Sequence, residues 1–94
     1  MKRKNINELA KWLNSNKSFN IDFGGDCGID CFVAPNNTRW VGVTMFPEEY
    51  KYVAVDDALE ALIEIIDEGG FSEVEEYFFI SERNIDEYDV PWVH

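Results

Sequence analysis

The sequence has few of the residues from which metal sites and catalytic triads are usually built. It contains a single histidine, His94, and two cysteines, Cys27 and Cys31. A structural zinc site takes about four Cys or His ligands, and a cysteine nucleophile needs a histidine that a third group holds in place. Carboxylates are plentiful, but the patterns below put them on solvent faces without an apolar pocket to raise a pKa. We therefore expect no metal, no cofactor and no enzymatic activity.

The low cysteine content and the absence of long apolar runs also bear on the compartment. Two cysteines do not make a disulfide scaffold, and on one strand Cys27 and Cys31 would lie about 13 Å apart, too far to bridge. The basic start Met1–Lys4 is not followed by the apolar run of a signal peptide, and no stretch reaches membrane-spanning length. These features predict a cytoplasmic protein with reduced thiols.

Basic residues are scarce and unevenly placed. The chain has 8 lysines and arginines against 19 aspartates and glutamates, a formal net charge of −11. Residues 1–46 hold six basic and four acidic residues, whereas residues 47–89 hold two basic and fifteen acidic ones. Such a field repels the phosphates of nucleic acids and membranes and attracts a basic partner. We therefore expect no direct binding to nucleic acid or to a membrane, although the basic segment 2–4 is able to touch a phosphate.

Two short motifs in the first half resemble binding loops only superficially. Gly24–Gly28 is glycine-rich, but it lacks the lysine and the Ser or Thr of a phosphate-binding loop and carries an aspartate instead. Asp22, Asp26 and Asp30 do not follow the alternate spacing of an EF-hand, which leaves a weak divalent-cation site as an alternative. We favour a hairpin turn for this segment.

The most regular pattern in the chain runs from Asp56 to Gly70. Apolar residues recur at the i, i+3, i+4, i+7 spacing of a core-facing helix stripe, at Leu59, Leu62, Ile63 and Ile66. Carboxylates follow the same rhythm on the other side, without a nearby lysine or arginine to offset them, at Glu60, Glu64, Asp67 and Glu68. Like charges at i, i+4 cost about 0.2–0.5 kcal/mol per pair. The pattern predicts an amphipathic helix with one acidic face.

The first half of the chain predicts one helix followed by strands. A helix is expected from Asn5 to Leu13, with Asn5 as its cap and Glu8 as the reciprocal partner of a capping box. Alternating apolar residues, bounded by turn residues, predict strands at 19–23, 29–34 and 39–46, a turn at 35–38 and a short fourth strand at 50–55. The close spacing of these strands favours antiparallel hairpins.

Two interpretations exist for the segment after the central helix. Gly69 and Gly70 end that helix, and Ser72 with Glu75 forms a second capping-box pattern, which favours a last helix over 72–80. The alternative is a strand at 77–80, because aromatic and β-branched residues suit a pleated surface; we favour the helix. The whole chain, residues 1–94, is then a single α+β domain with a leading helix, a three- to four-stranded antiparallel sheet and one or two acidic helices packed on one face.

The acidic surface also has two interpretations. A charged face usually keeps a protein soluble, but here the carboxylates are confined to one half of the chain and interleaved with aromatic residues such as Tyr50, Tyr77 and Tyr88. Aromatic anchors within a charged rim are typical of interfaces. Carboxylates four residues apart on a helix are also spaced by about 6 Å, and such a row imitates the phosphates of duplex DNA, which carries about one charge per 1.7 Å of axis. We favour a protein-binding face.

A small, strongly acidic, cysteine-poor domain with a leading helix, a three-stranded antiparallel sheet and acidic closing helices resembles the phage-encoded anti-CRISPR proteins. It is most similar in character to the DNA-mimicking inhibitors of type II CRISPR nucleases, and the segments of similar character here are Glu73–Tyr77 and Asp86–Asp89. The resemblance covers the element order across most of the chain. It implies competitive occlusion, in which an acidic face occupies the basic cleft that reads the protospacer-adjacent motif, in the cytoplasm of a bacterial host cell.

The residues expected to contact the partner lie on the acidic helix and in the C-terminal segment, and they are Glu60, Glu64, Asp67, Glu68, Glu73, Glu75, Glu76, Tyr77, Asp86, Glu87, Tyr88, Asp89 and Trp92. Reversal of Glu75 and Glu76 to lysine is expected to abolish binding and leave the fold intact. The alternative partner is a basic toxin such as a nuclease, which an immunity protein or antitoxin would neutralise by the same electrostatics. Strong self-repulsion favours a monomer, whereas exposed aromatics would permit a weak homodimer.

Overall fold

Four consecutive strands pair as an antiparallel meander, and a fifth strand pairs with the far side of the first. The computed structural model describes residues 2–24, 27–45, 51–68, 78–83 and Trp92. Within these ranges the elements are α1 Arg3–Asn14, β1 Phe19–Asp22, β2 Cys27–Val33, β3 Arg39–Met45, β4 Lys51–Val55, α2 Ala58–Glu68 and β5 Phe79–Glu82. The predicted α+β class is confirmed, with one strand more than the three or four expected.

The strand order of the sheet is β4-β3-β2-β1-β5, and each neighbouring pair is antiparallel. Short turns join β1 to β2 and β2 to β3, as the close spacing predicts. Since β4 and β5 run in the same direction at opposite edges of this order, the chain must cross the sheet between them. The helix α2 lies on this crossing, where it contacts β3 and packs beside α1.

Alternation along the strands separates an inner face, on which the helices pack, from an outer face. Inner-face side chains and residues of both helices form one core, made of Leu9, Phe19, Ile21, Phe23, Ile29, Cys31, Val41, Leu62 and Ile66. Each of these side chains is at most 1% exposed. Full burial of an aliphatic or aromatic side chain of this kind stabilises the fold by about 1.5–3 kcal/mol relative to exposure. This core fixes α1 and α2 against the sheet.

The capping box predicted at Asn5 is wrong. The helix α1 begins at Arg3, and its N-cap residue Lys2 is extended and makes no side-chain cap hydrogen bond. Asn5 lies inside the helix and is 8% exposed, while the Glu8 carboxylate accepts a hydrogen bond from Trp12 Nε1 at 3.2 Å. Helices in proteins gain most of their stability from packing of one face, so burial of this face, and not the cap pattern, determines where α1 begins.

The helix predicted over 72–80 is wrong at its C-terminal end. Phe79 and Ile80 belong to β5, as in the alternative interpretation of this segment, and residues 72–77 lie outside the described ranges. Ile80 pairs with Ile21 of β1 and packs against the core. Pairing with β1 thus gives Ile80 a place against the core, and this tertiary contact outweighs the local helix signal.

The turns on both sides of β2 follow their sequence signals. In the turn after β2, Asn37 has a φ of 67°, which asparagine tolerates better than most residues. The Asn37 N–H donates to the Ala34 carbonyl and the Ala34 N–H to the Thr38 carbonyl, both at 2.9 Å. After β1, Gly24 has a φ of 88° and its N–H donates to Asp22 Oδ1 at 2.7 Å. Residues 25 and 26 of that turn lie outside the described part of the chain.

Candidate functional site

The acidic helix α2 begins at an aspartate cap. Asp57 Oδ1 accepts a hydrogen bond from the Glu60 N–H at 3.1 Å, and the Asp57 carbonyl accepts one from the Ala61 N–H at 3.0 Å. Such a cap is worth about 1 kcal/mol of helix stability. It explains why α2 starts at Ala58, although the sequence pattern extends back to Asp56.

The buried stripe of α2 differs slightly from the predicted one. Leu62 and Ile66 are fully buried and Ala58 is 8% exposed, whereas the predicted stripe residues Leu59 and Ile63 are only partly buried. The line that faces the sheet therefore runs through positions i, i+4 and i+8, starting at Ala58. This orientation determines which side of the helix solvent reaches.

The solvent side of α2 carries all four of the carboxylates predicted for it, and Glu60, Glu64, Asp67 and Glu68 are exposed. Glu60, Glu64 and Glu68 follow one line along the helix, with a rise of about 6 Å from each to the next. Among the residues that the structure describes, none forms an ion pair with these three glutamates. The result is a row of unneutralised negative charges on a helix that its buried side holds rigidly.

The neighbouring helix α1 carries the opposite charge. Lys4 and Lys11 are exposed on α1, as are Lys2 and Arg3 at its start, and Glu8 is the one acidic residue of this helix. Because α1 and α2 pack side by side, the helical layer over the sheet is divided into a basic and an acidic side. The charge asymmetry seen along the sequence is therefore also an asymmetry of the folded surface.

Trp92 lies away from the acidic row. It packs edge-on against Phe32, with ring centroids 6.2 Å apart. Phe32 lies on the outer face, because its neighbour Cys31 points into the core. The sheet thus separates Trp92 from the carboxylates of α2, and the two do not form one patch. The other residues predicted to contact a partner lie outside the described ranges, namely Glu73, Glu75, Glu76, Tyr77, Asp86, Glu87, Tyr88 and Asp89.

A buried carboxylate on the outer face is the main feature that sequence analysis missed. Asp30 of β2 is 2% exposed. Its Oδ1 accepts a hydrogen bond from Asn20 Nδ2 at 2.8 Å, and its Oδ2 accepts one from the Tyr52 hydroxyl at 3.0 Å. Arg83 Nε lies 3.8 Å from Oδ1. A buried charge is retained only where it is paired and hydrogen-bonded, so this network is a structural element of the outer face. The sequence did contain a signal for the orientation of Asp30. Side chains alternate between the two faces along β2, and its neighbours Ile29 and Cys31 face the core, so Asp30 faces the other way.

Aromatic rings surround this network. The Phe32 ring meets the Tyr52 ring edge-on, with centroids 5.4 Å apart, and it contacts Trp92 on another side. The Arg83 guanidinium carbon lies 5.9 Å from the Phe32 ring centroid. Phe32 is 3% exposed. We refer to Phe32, Tyr52 and Trp92 as the outer aromatic cluster.

Arg39 and Cys31 form a contact on the inner face. Arg39 Nη1 donates to the Lys17 carbonyl at 2.9 Å and Nη2 donates to the Leu13 carbonyl at 3.0 Å, which fastens the C-terminal end of α1 to β3. Nη1 also lies 3.7 Å from Cys31 Sγ. Burial raises the pKa of the Cys31 thiol, and the positive charge of Arg39 opposes this only in part. A buried thiol with a raised pKa is a poor nucleophile, so both residues stabilise the fold.

Clefts are present on the surface, and the carboxylates of α2 do not line three of them that described residues form. A cleft of about 370 Å³ lies between the start of α1 and β5. A groove of about 320 Å³ lies at the turn between β2 and β3. The described residues contain no cluster of three or more potential metal ligands, and they form no helix of the length and apolarity that crossing a membrane requires.

Comparison of the chain with protein-family models, with curated proteins and with solved structures finds no match.

Proposed function

We propose that this protein inhibits a nucleic-acid-binding enzyme by placing α2 in the basic cleft of that enzyme, as DNA-mimicking anti-CRISPR proteins do with a CRISPR nuclease. The observation that carries the proposal is the exposed row of Glu60, Glu64 and Glu68 on a helix whose opposite side is buried. Rigid presentation matters, because a partner gains most from charges that are already held in position before contact.

Some carboxylates of α2 lie where they lower the stability of the helix, although Glu60, in the first turn, is favourably placed for the helix dipole. Glu60 with Glu64, and Glu64 with Glu68, are like-charge pairs at i, i+4, and each pair costs about 0.2–0.5 kcal/mol. Glu68 lies at the C-terminal end, where the helix dipole favours cations, and the last turn has no basic residue. Mixed charges would keep the protein soluble without these costs. Residues that lower stability are often present because they serve a function. The unfavourable charges of α2 therefore support a binding role for this face.

The dimensions of the row suit a cleft that binds phosphates. From Glu60 to Glu68 the helix rises by about 12 Å, and duplex DNA carries several phosphates over that length. Lysine and arginine side chains placed to neutralise such phosphates meet carboxylates of the same sign, at a lower density than that of the phosphates of a duplex. The net charge of −11 also accelerates encounter with a basic surface.

The test is capture of purified CRISPR nuclease–guide complexes on the immobilised protein, followed by measurement of DNA loading at low and high salt. The proposal predicts capture that blocks DNA loading and weakens as salt rises. The double variant Glu60→Lys/Glu64→Lys is expected to lose capture. The control variant Glu8→Lys/Glu82→Lys changes the net charge by the same amount at exposed positions of α1 and β5, and it is expected to retain most of the capture.

Equal losses in the two double variants would mean that only net charge matters, and α2 would then not be the interface. Failure to capture any nuclease complex would contradict the CRISPR partner. Neutralisation of a basic toxin nuclease that depends on Glu60 and Glu64 would instead identify an immunity protein acting through the same face.

A further inference from the structure

A groove on the outer face lies apart from the row of carboxylates on α2. Its volume of about 320 Å³ is near the lower end of the range for ligand sites, about 300–1,000 Å³. Two tryptophans line it, and the rest of its lining is small or polar; the lining residues are Ala34, Pro35, Asn36, Thr38, Trp40 and Trp92. A site of this size accommodates one side chain or a small ligand.

Strand register places Trp40 beside the outer aromatic cluster. Trp40 of β3 pairs directly with Phe32 of β2 and with Ala54 of β4. Phe32 in turn contacts Trp92. The groove is therefore continuous with the aromatic cluster, and it lies at the end of the sheet where the turn between β2 and β3 is located.

The aromatic cluster already holds one guanidinium group. The Arg83 guanidinium lies over the Phe32 ring at 5.9 Å from its centroid. A planar guanidinium stacks on aromatic faces and is attracted by their π-electrons, most strongly on tryptophan. Two tryptophans that share one small groove offer the same interaction to a guanidinium from another molecule.

The charges at this end of the sheet are of both signs. The positive charge of Arg83, which lies over the Phe32 ring, is balanced by Asp30 at 3.8 Å. Asp56 and Asp57 follow Val55, which pairs with Arg39, the residue before Trp40, and both aspartates are exposed. Arg39 itself lies on the inner face, where it donates to backbone carbonyls of the α1 end. The strongly negative protein attracts cations to an exposed groove and repels phosphates and carboxylates.

We propose that this groove binds the guanidinium group of an arginine side chain of the protein partner, stacked against Trp40 and Trp92. The identity of the partner rests on the proposed function, because enzymes that bind nucleic acid present arginines to its phosphates. The groove and the first turn of α2 lie at the same end of the sheet, since α2 begins shortly after Val55. Because the groove and α2 lie on opposite faces of the sheet, a partner that contacts both must extend around this end.

The test is titration of the whole protein with N-acetyl-arginine amide, followed by NMR of the indole N–H signals. The chain has three tryptophans, and Trp12 packs against the core on the inner side, so it serves as an internal control. The neutral isostere N-acetyl-citrulline amide is the control ligand. We expect the arginine compound to shift the signals of Trp40 and Trp92, but not of Trp12, with an affinity about tenfold above that of the citrulline compound. Equal affinities, an equal shift of Trp12, or the absence of any shift would overturn the proposal.

Two double variants separate the groove from a general effect of charge. Asp56→Asn/Asp57→Asn keeps a capping side chain on α2 and is expected to weaken arginine binding several-fold. Glu8→Gln/Asp22→Asn removes the same charge at exposed positions of α1 and β1, outside both the groove and the acidic row, and is expected to leave arginine binding unchanged. If both double variants weakened arginine binding equally, the proposal that the groove binds arginine would be overturned. Because this titration contains no nuclease, arginine binding without nuclease capture contradicts the proposed function alone, and capture without arginine binding contradicts the groove alone.

Discussion

The hydroxyl of Tyr52 on β4 donates a hydrogen bond to Oδ2 of Asp30 on β2, at 3.0 Å, across the intervening strand β3. The residue of β3 between them is Gly42, which pairs with Asp30 on one side and with Tyr52 on the other. Two strand spacings separate the backbones by about 10 Å, and a tyrosine spans this distance only if its ring lies over the middle residue. Glycine, without a side chain, leaves that path open.

Tyr52→Phe is expected to destabilise the protein by about 1–3 kcal/mol, because it removes a donor from a buried carboxylate oxygen. Urea denaturation measures the free energy of unfolding. A double-mutant cycle with Asp30→Asn is the control, since residues in one hydrogen-bond network are coupled. Additive effects of the two substitutions would contradict the network.

Gly42→Ala is expected to cost about 1–3 kcal/mol, because its methyl group occupies the space under the Tyr52 ring. In the background Tyr52→Ala the same substitution is expected to cost much less, since the ring is then gone. Thermal or urea unfolding of the four proteins measures this difference. A cost of Gly42→Ala that does not depend on Tyr52 would show that the ring does not lie over this residue.

Asp57→Ala is expected to destabilise the protein by about 1 kcal/mol, because it removes the cap of α2, whereas Asp57→Asn keeps a capping oxygen and is expected to cost little. The adjacent Asp56→Ala removes the same charge without removing the cap hydrogen bond, and its effect is expected to stay within about 0.5 kcal/mol. Urea denaturation of the three variants measures these differences. Equal losses for Asp56→Ala and Asp57→Ala would indicate a charge effect instead of a cap.

Glu64→Lys is expected to change stability and partner binding in opposite directions. It replaces two like-charge pairs, with Glu60 and Glu68, by two attractive ones, so the free energy of unfolding is expected to rise by about 1 kcal/mol. Capture of the basic partner is expected to fall sharply. Denaturation and the capture assay on the same preparation give both quantities, and a variant that is more stable yet binds unchanged would separate the acidic row from the interface.

Cys31 is expected to make stability depend on alkaline pH. Burial raises the pKa of its thiol in the folded state above the ordinary value of 9.0, so the unfolded chain loses this proton first as pH rises. Stability is then full below pH 9 and falls by up to ~1.4 kcal/mol per pH unit above it, until the folded thiol also ionises. Urea denaturation between neutral and alkaline pH is compared with Cys31→Ala, which is expected to lack this component. Parallel pH profiles of the two proteins would contradict it.

The helix α2 and the antiparallel meander could be predicted because their signals are local. The spacing of Leu62 and Ile66 and the turn residues around Asn37 lie within a few positions of the structure that they specify. The start of α1 and the strand β5 could not be predicted in this way, because Ile80 is stabilised by a contact with Ile21, far away in the sequence. Where a local capping pattern and a long-range contact favour different structures, the long-range contact determines the structure.

The candidate sites divide along the same line. The exposed row of Glu60, Glu64 and Glu68 follows from helix periodicity, and it could be predicted. The burial of Asp30 and the groove at Trp40 and Trp92 depend on side chains that three or more separate segments bring together across the sheet. These residues are far apart in the sequence, and which of them lie close together cannot be predicted until the strand order is known.

The pairing of β5 with β1 has a consequence for how the protein acquires its structure during synthesis. The strands β2, β3 and β4 and the helix α2 all lie between these two strands in the sequence. The contact between β1 and β5 therefore closes a long loop, and the entropy of closure is lost before the contact repays it. During synthesis on the ribosome, β1 to β4 emerge before β5. Until β5 pairs with β1, the outer edge of β1 has unpaired backbone groups, and such an edge promotes aggregation of nascent chains. Pairing of β5 with β1 requires that Glu82 has left the exit tunnel, and we expect this pairing to be the last step in forming the sheet.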